Sequence, residues 1–165
     1  MCSEIRNSLH IVVLLSAILF GQAAVAGELV GLVVSVQDGD TLTVHVSHEM
    51  VRIRLVDIDA PEKKQPFGNR SRQSLGAICH GKKARVVDRG LDRYGRTLGQ
   101  VTCAGVDANE EQVRRGMAWV YVKYAPKDSP LYGVEAEARL QRRGLWQDTS
   151  PVPPWEWRSA ARGRQ

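Results

Sequence analysis

The sequence has few of the residues from which metal clusters and nucleophilic triads are built. Its 165 residues include three cysteines and four histidines, and no Cys-x-x-Cys pair occurs. His80 beside Cys79 supplies only a weak third ligand, so a structural zinc site is disfavoured. No Ser-His-Asp order of a nucleophilic triad stands out. Internal repeats and long low-complexity segments are absent too, and the length therefore indicates one domain with a tail.

Long hydrophobic runs are also scarce, and the longest lies near the N-terminus at residues 11–20. It is shorter than the roughly 20 residues that a membrane-spanning helix needs. Arg6 precedes it, and Ala24-Val25-Ala26 follows as a small-x-small cleavage site. This layout is typical of a secretory signal peptide over residues 1–26, the alternative being an uncleaved membrane anchor. We therefore expect a periplasmic or secreted chain that begins at Gly27 and keeps no membrane anchor.

Acidic residues are in the minority, with 18 Asp and Glu against 23 Lys and Arg. The formal net charge is +5, and loss of Glu4 and Arg6 with a signal peptide would leave it unchanged. A basic balance is compatible with a polyanionic partner, nucleic acid above all.

Signal-peptide removal would also take Cys2 and leave Cys79 and Cys103. An even cysteine count in an exported chain favours one disulfide. By chain-entropy reasoning, a closed loop of about 25 residues stabilises the fold by roughly 3 kcal/mol.

Alternating apolar residues and turn signals predict a mainly β domain of the α+β class. The predicted strands are residues 28–37, 41–46, 50 to about 58, 82 to about 88, and 97–103. Helices are expected at 71–79 after a start at 68–69, at 109 to about 118 with Asn109 as a cap, and at 131–143. This order suggests a five-stranded Greek-key barrel of the OB type with three helices, over residues 27–148. Residues 149–165 form a basic tail rich in proline and tryptophan, in which we expect Trp155 and Trp157 to pack on the domain and the last residues to fray.

Three carboxylates fall within six residues at the end of the third predicted strand, in the stretch DIDAPE. Asp40 lies at the first hairpin turn and Asp59 at the end of the third strand. In a meander, those two points lie at the same end of the sheet, so the side chains can meet. Two carboxylates with a backbone carbonyl and waters suit a hard cation, Ca²⁺ or Mg²⁺. The alternative is that Asp40 serves the turn and Asp59 caps the loop.

Arg54 and Arg96 carry guanidinium groups that suit phosphate oxygens, although arginines at strand ends are commonly solvated. Glu62 follows Pro61, which restrains the loop, and a restrained carboxylate beside a cation can remove a proton from water. The alternative for Glu62 is a surface acid. Strict alternation points Arg54 and Asp59 to opposite faces, so a shared site requires a bulge near residues 56–58 or an early exit from the strand.

Five stretches, in this order, resemble the thermonuclease family of staphylococcal-nuclease-like domains. They are VQDGDTLTV, VRIRLVDIDAPE, LDRYGRTLGQV, VRRGMAWVY and GLW, and they span residues 36–146. The resemblance implies an OB-type barrel and a Ca²⁺-dependent phosphodiesterase acting on DNA and RNA.

The same resemblance implies roles for particular residues. Asp40, Asp59 and the carbonyl oxygen of Ala60 would hold one Ca²⁺ ion, with Mg²⁺ less expected. Glu62 would be the general base, and Arg54 and Arg96 would hold the phosphate.

Tyr94 and Tyr124 would contact the nucleotide, and the enzyme is expected to be a monomer. Position 60 is alanine where the best-known members have threonine, and Val122 stands at a substrate-pocket tyrosine. The cysteine pair and the PPWEWR tail resemble those of exported bacterial members.

The alternative function is a non-catalytic nucleic-acid binder on the same scaffold. A binder does not need the complete set of Asp40, Arg54, Asp59, Glu62 and Arg96, and the presence of all five favours the enzyme. The same set disfavours a structural envelope protein. The histidines fall outside the motifs, which argues against a histidine-metal nuclease.

Overall fold

The computed structural model describes residues 27–163, and the predicted signal peptide at 1–26 lies outside the described residues. The strands are β1 Glu28–Val36, β2 Thr41–Val46, β3 Glu49–Leu55, β4 Ile58–Asp59, β5 Lys83–Leu91, β6 Thr97–Cys103, β7 Val106–Asp107 and β8 Trp119–Val120. The helices are α1 Gly68–Cys79, α2 Ala108–Arg114, α3 Leu131–Leu140 and α4 Pro154–Arg162, with a short 3-10 helix at Gly144–Gln147. Within residues 27–163, no helix is long and apolar enough to cross a membrane.

Five strands close into a barrel, as the predicted OB-type class requires. The sheet order is β3-β2-β1-β5-β6-β7, and a parallel pairing of β3 with β6 completes the ring. Burial alternates along β6, where Thr97, Gly99, Val101 and Cys103 are buried and the residues between them are half-buried. Gly99 is required by close packing, because a Cβ there would lie 2.4 Å from Cγ1 of Val86.

Helix α1 packs on the barrel through its apolar face. Leu75, Ile78 and Cys79 are buried on that face, as their helical spacing predicts. Cys79 forms a disulfide with Cys103 of β6, closing a loop with a sequence separation of 24. The bond ties the helix to the barrel wall.

The third strand ends earlier than predicted. β3 stops at Leu55, and Val56 and Asp57 form a turn in which Asp57 has a φ of 64°. The chain then leaves the barrel sheet and pairs with β8, Asp59 opposite Trp119. This departure from the strand, rather than a bulge within it, redirects the residues that follow.

The residue predicted to cap the second helix was wrong. Asp107, not Asn109, caps α2, and its side chain accepts a hydrogen bond from the backbone N–H of Glu110 at 3.0 Å. Asn109 is buried instead, where its side chain accepts from Val101 N–H and donates to the Val56 carbonyl. It therefore links α2 to the barrel and to the turn after β3.

Helices α2 and α3 are also shorter than predicted. α2 ends at Arg114 rather than near residue 118, and Gly116, two residues after its end, has a φ of 65°. α3 ends at Leu140 rather than 143, before Arg142 at a φ of 51°. Left-handed backbone cannot continue a right-handed helix, which explains both stops.

The tail contains a helix that the sequence analysis did not predict. α4 begins at Pro154, a position where proline is favoured because the first helical N–H has no partner within the helix. Trp155 packs on the domain, its ring stacked on Tyr121 at 5.5 Å and 4°. Trp157 is half-buried and lines a small cavity beside Phe67. The tryptophans thus pack on the domain as expected, on a helix rather than an irregular tail.

Candidate active site

One cavity of about 1020 Å³ brings together the residues predicted to act. It opens where the β1–β2 hairpin, the turn after β3, the β5–β6 loop and α4 meet. Its lining includes all the candidate catalytic, metal and substrate residues, namely Asp40, Arg54, Asp59, Ala60, Glu62, Tyr94, Arg96 and Tyr124.

Asp40 and Asp59 converge on a single guanidinium. Both are buried, at 6% and 2% exposure. Arg54 Nε lies 3.2 Å from Asp40 Oδ1, and its Nη2 lies 3.0 Å from Asp59 Oδ1. The other oxygen of Asp40 accepts from the backbone N–H of Ala60 at 2.7 Å. The two ends of the meander therefore meet.

The turn after β3 explains how Arg54 and Asp59 share a face. Arg54 pairs with Thr41 in the β2–β3 ladder, which places it beside Asp40. Its Nη1 donates to the carbonyls of Leu55 and Ile58, at 2.6 and 2.9 Å, so the guanidinium fills the turn. Four of the five guanidinium N–H groups of Arg54 are therefore bonded within the chain. The side chain holds Asp40 and Asp59 together and leaves one N–H group for a ligand in the cavity.

A third acid, Asp38, stands beside this pair and was not predicted. Burial, followed by the negative charge of Asp40, raises the pKa of Asp38 to about 7. Burial also raises the pKa of Asp59, against the hydrogen bond that it accepts from Arg158. The Asp38-Gly39-Asp40 hairpin thus places two carboxylates at the cavity.

The donor set fits a hard cation. Two buried carboxylates beside an irregular backbone segment supply the oxygen ligands that Ca²⁺ and Mg²⁺ prefer. Among residues 27–163, no group of three or more His, Cys, Asp or Glu side chains is arranged to hold a metal. The remaining ligands would therefore be carbonyl oxygens and waters, as is common for these ions.

Glu62 is held by a residue that the sequence analysis missed. Its Oε1 accepts from Nη1 of Arg158 on α4 at 2.8 Å, and its backbone N–H donates to the side chain of Gln65. Arg158 also lies 2.7 Å from Oδ2 of Asp59. The sequence does contain a signal for this residue. Two prolines are typical of a helix start, and the spacing of Trp155 and Arg158 places both side chains on one face of such a helix.

Arg96 is oriented by its own loop. Asp92 accepts from Arg96 Nε at 2.7 Å, and its other oxygen accepts the backbone N–H groups of Tyr94 and Arg96. Arg96 Nη1 lies 3.4 Å from the Thr41 hydroxyl, next to Asp40. Asp92, also missed, thus fixes both the loop and the arginine.

Exposed side chains form the rim of the cavity. Tyr94 and Tyr124 line it and are 69% and 64% exposed. The guanidinium groups of Arg93 and Arg96 lie within 6 Å of the Tyr94 ring. Aromatic rings beside cations are surfaces on which nucleic-acid bases can stack. Val122 is also exposed, but it is not among the residues that line the cavity, and it has no aromatic ring.

The fold and cavity define a small OB-type barrel protein in which buried acids face arginines. The family model described as Staphylococcal nuclease homologue matches residues 52–148. The chain belongs to the staphylococcal nuclease family, which confirms the predicted family and fold class. Asp40 and Arg158 lie outside the matched span.

Several relatives resemble most of this chain. An uncharacterized endonuclease of Escherichia coli O157:H7 is 48% identical over 141 residues, covering 85% of this chain and 92% of its own. A micrococcal nuclease of Shigella flexneri is 44% identical over 142 residues, covering 80% and 82%. The staphylococcal-like nuclease CAN1 of Arabidopsis thaliana is 43% identical over 112 residues, covering 68% of this chain and 34% of its own length.

Proposed function

We propose that the protein is an exported, Ca²⁺-dependent endonuclease that hydrolyses phosphodiester bonds in DNA and RNA without strong sequence preference. The observation that carries this is the meeting of Asp40, Arg54 and Asp59, with Glu62 and Arg96 lining the same cavity. The nuclease names of relatives that cover most of the chain support the reaction class.

Hydrolysis requires a deprotonated water and compensation of charge on the phosphate. Glu62 lies at the mouth of the cavity, with a side chain 43% exposed, where it can accept a proton from a water placed against phosphorus. A divalent cation held by Asp40, Asp59 and the Ala60 carbonyl would supply Lewis-acid stabilisation of the phosphate oxygens.

Arg96 and Arg54 contribute differently to binding the phosphate. Arg96, anchored on one side by Asp92, presents its remaining N–H groups to the cavity and is the principal phosphate ligand. Arg54 has one N–H left for a phosphate oxygen and chiefly keeps Asp40 and Asp59 together.

Weak sequence preference follows from the chemistry of the lining. The cavity presents positive side chains for phosphates and exposed rings for base faces, and neither distinguishes one base edge from another. The basic residues of the lining are Arg54, Arg89, Arg93, Arg96, Lys123, Arg158 and Arg162.

Export is part of the proposal. The charged start, the apolar run and the small-x-small site of residues 1–26 support it. The disulfide between Cys79 and Cys103 suits an oxidising compartment, periplasmic or extracellular.

The test is cleavage of single-stranded DNA by oxidised protein spanning residues 27–165, with CaCl₂ or with a chelator. We expect cutting with calcium and none with the chelator. Glu62→Gln should lose most of the rate, on the order of 100-fold or more, yet bind DNA with unchanged affinity, because it removes only the base. Glu49→Gln, an exposed acid on β3, is the matched control and should retain full activity.

Two outcomes would refute this assignment. Undiminished cutting by Glu62→Gln would remove the proposed base. Binding of DNA without cleavage under any divalent cation would instead support the non-catalytic binder on the same scaffold.

A further inference from the structure

Arg158 engages two of the carboxylates that the proposed reaction uses. Its Nη2 lies 2.7 Å from Asp59 Oδ2, and its Nη1 lies 3.3 Å from Asp59 Oδ1 and 2.8 Å from Glu62 Oε1. These three contacts join residues 96 and 99 positions apart in the chain. One guanidinium therefore spans both the proposed metal ligand and the proposed base.

Helix α4 is docked firmly enough to deliver this side chain. Trp155 stacks on Tyr121, and Pro154 is buried. Just before the helix, the Val152 carbonyl accepts from Gln65 Nε2 at 2.6 Å, and the same Gln65 side chain accepts from the backbone N–H of Glu62. The segment before α4 and the Glu62 loop are thus linked by a buried amide as well as by Arg158.

A divalent cation and Arg158 would use the same carboxylate. Asp59 Oδ2 has Arg158 as its hydrogen-bond partner, and Oδ1 is already shared between Arg158 and Arg54. A cation bound to Asp59 would therefore lie within a few ångströms of the Arg158 guanidinium. Like charges this close together repel each other, so each should weaken the binding of the other.

We propose that Arg158 competes with the divalent cation for Asp59, so that the docking of α4 sets the metal affinity of the site. The same contact holds Glu62, and cation binding would release both carboxylates from the guanidinium together. By linkage, the cation must weaken the docking of α4 as much as α4 weakens the cation. This inference rests on the proposed function, because it assumes a cation at Asp59.

The test measures Ca²⁺ affinity by isothermal titration calorimetry, without substrate. Arg158→Gln removes the charge but keeps hydrogen-bonding capacity, and we expect its Kd for Ca²⁺ to fall about tenfold or more. Arg72→Gln is the matched control, since it removes the same charge from an exposed helical arginine, on α1, that does not line the cavity and has no ion pair to Asp59 or Glu62. Its Kd should change by less than about twofold, as expected for a solvent-screened charge.

A second variant tests the docking of α4 separately from the charge of Arg158. Trp155→Ala removes the stack on Tyr121 while keeping Arg158, and it should also tighten Ca²⁺ binding, by less than Arg158→Gln does. Hydrogen exchange provides the reciprocal measurement. Saturating Ca²⁺ should speed exchange of the amides of residues 154–162 in the parent protein and leave them unchanged in Arg158→Gln.

The outcomes separate this inference from the function beneath it. Equal Kd values for the parent, Arg158→Gln and Trp155→Ala would overturn the competition while leaving a Ca²⁺-dependent nuclease intact. Weaker Ca²⁺ binding by Arg158→Gln, seen as a higher Kd, would also overturn it. That result would make Arg158 a positioning residue for the carboxylates. No Ca²⁺ binding by the parent, or binding that survives Asp59→Asn, would refute the proposed metal site itself.

Discussion

Two arginines hold Asp59, one built into the barrel and the other supplied by the tail helix. Arg54 lies on β3, its side chain is 12% exposed, and it bonds to Asp40 and to two backbone carbonyls as well. Arg158 lies on α4, its side chain is 33% exposed, and it contacts side chains alone. The first contact is part of the sheet's own geometry, whereas the second depends on the packing of α4 against the domain.

The difference indicates how strongly the fold depends on each arginine. Removing Arg54 would leave two buried acids facing each other, at a cost to the fold. Removing Arg158 would leave Asp59 still paired with Arg54 and would return Glu62 to solvent. The cleft therefore combines a buried counter-charge from the barrel with a more exposed one from the tail helix.

Arg54→Ala should show the largest effect on stability. We expect the free energy of unfolding to fall by about 3 kcal/mol or more, because Asp40 and Asp59 lose their shared partner while remaining buried. Urea denaturation in a chelating buffer measures this. Arg52→Ala, an exposed arginine on the same strand, is the control and should change little. Equal losses of stability in both variants would show that Arg54 does not hold Asp40 and Asp59 together.

Gln65→Ala should have an intermediate effect. The buried side chain bonds both Glu62 N–H and the Val152 carbonyl, and losing them should cost about 1 kcal/mol. Gln65→Met retains the packing and should lose a similar amount, as judged by urea denaturation. If the methionine variant keeps the parent's stability, packing rather than hydrogen bonding holds the segment before α4.

Arg158→Ala should have the smallest effect on stability. A partly exposed ion pair contributes little, so we expect a loss of less than about 1 kcal/mol in the same chelating buffer. A loss as large as that of Arg54→Ala would contradict the distinction between the two arginines. It would make α4 an integral part of the barrel.

Much of the barrel could be predicted because strand patterning is local. The bounds of β2 and β6 match the alternation of apolar residues, and the buried face of α1 follows from helical spacing. The meeting of Asp40 and Asp59 followed from meander topology alone. Each of these inferences needs only neighbours in sequence or a simple rule of strand direction.

The errors arose where distant contacts override local signals. Asn109 has the composition of a helix cap, yet its amide is used to bond Val101 and Val56 across the barrel. No helix was predicted in the basic tail, yet α4 forms there, with Trp155 stacked on Tyr121. Local propensity contributes little energy compared with such tertiary contacts.

By itself, the sequence determined the barrel strands through the alternation of apolar residues, the meeting of Asp40 and Asp59 through strand order, and the disulfide partners through an even cysteine count. Only the tertiary structure decided how they are held. The left-handed turn at Asp57 turned Asp59 toward Arg54, and the docking of α4 placed Arg158 between Asp59 and Glu62. Both depend on packing between segments far apart in the chain, and no local pattern records that packing.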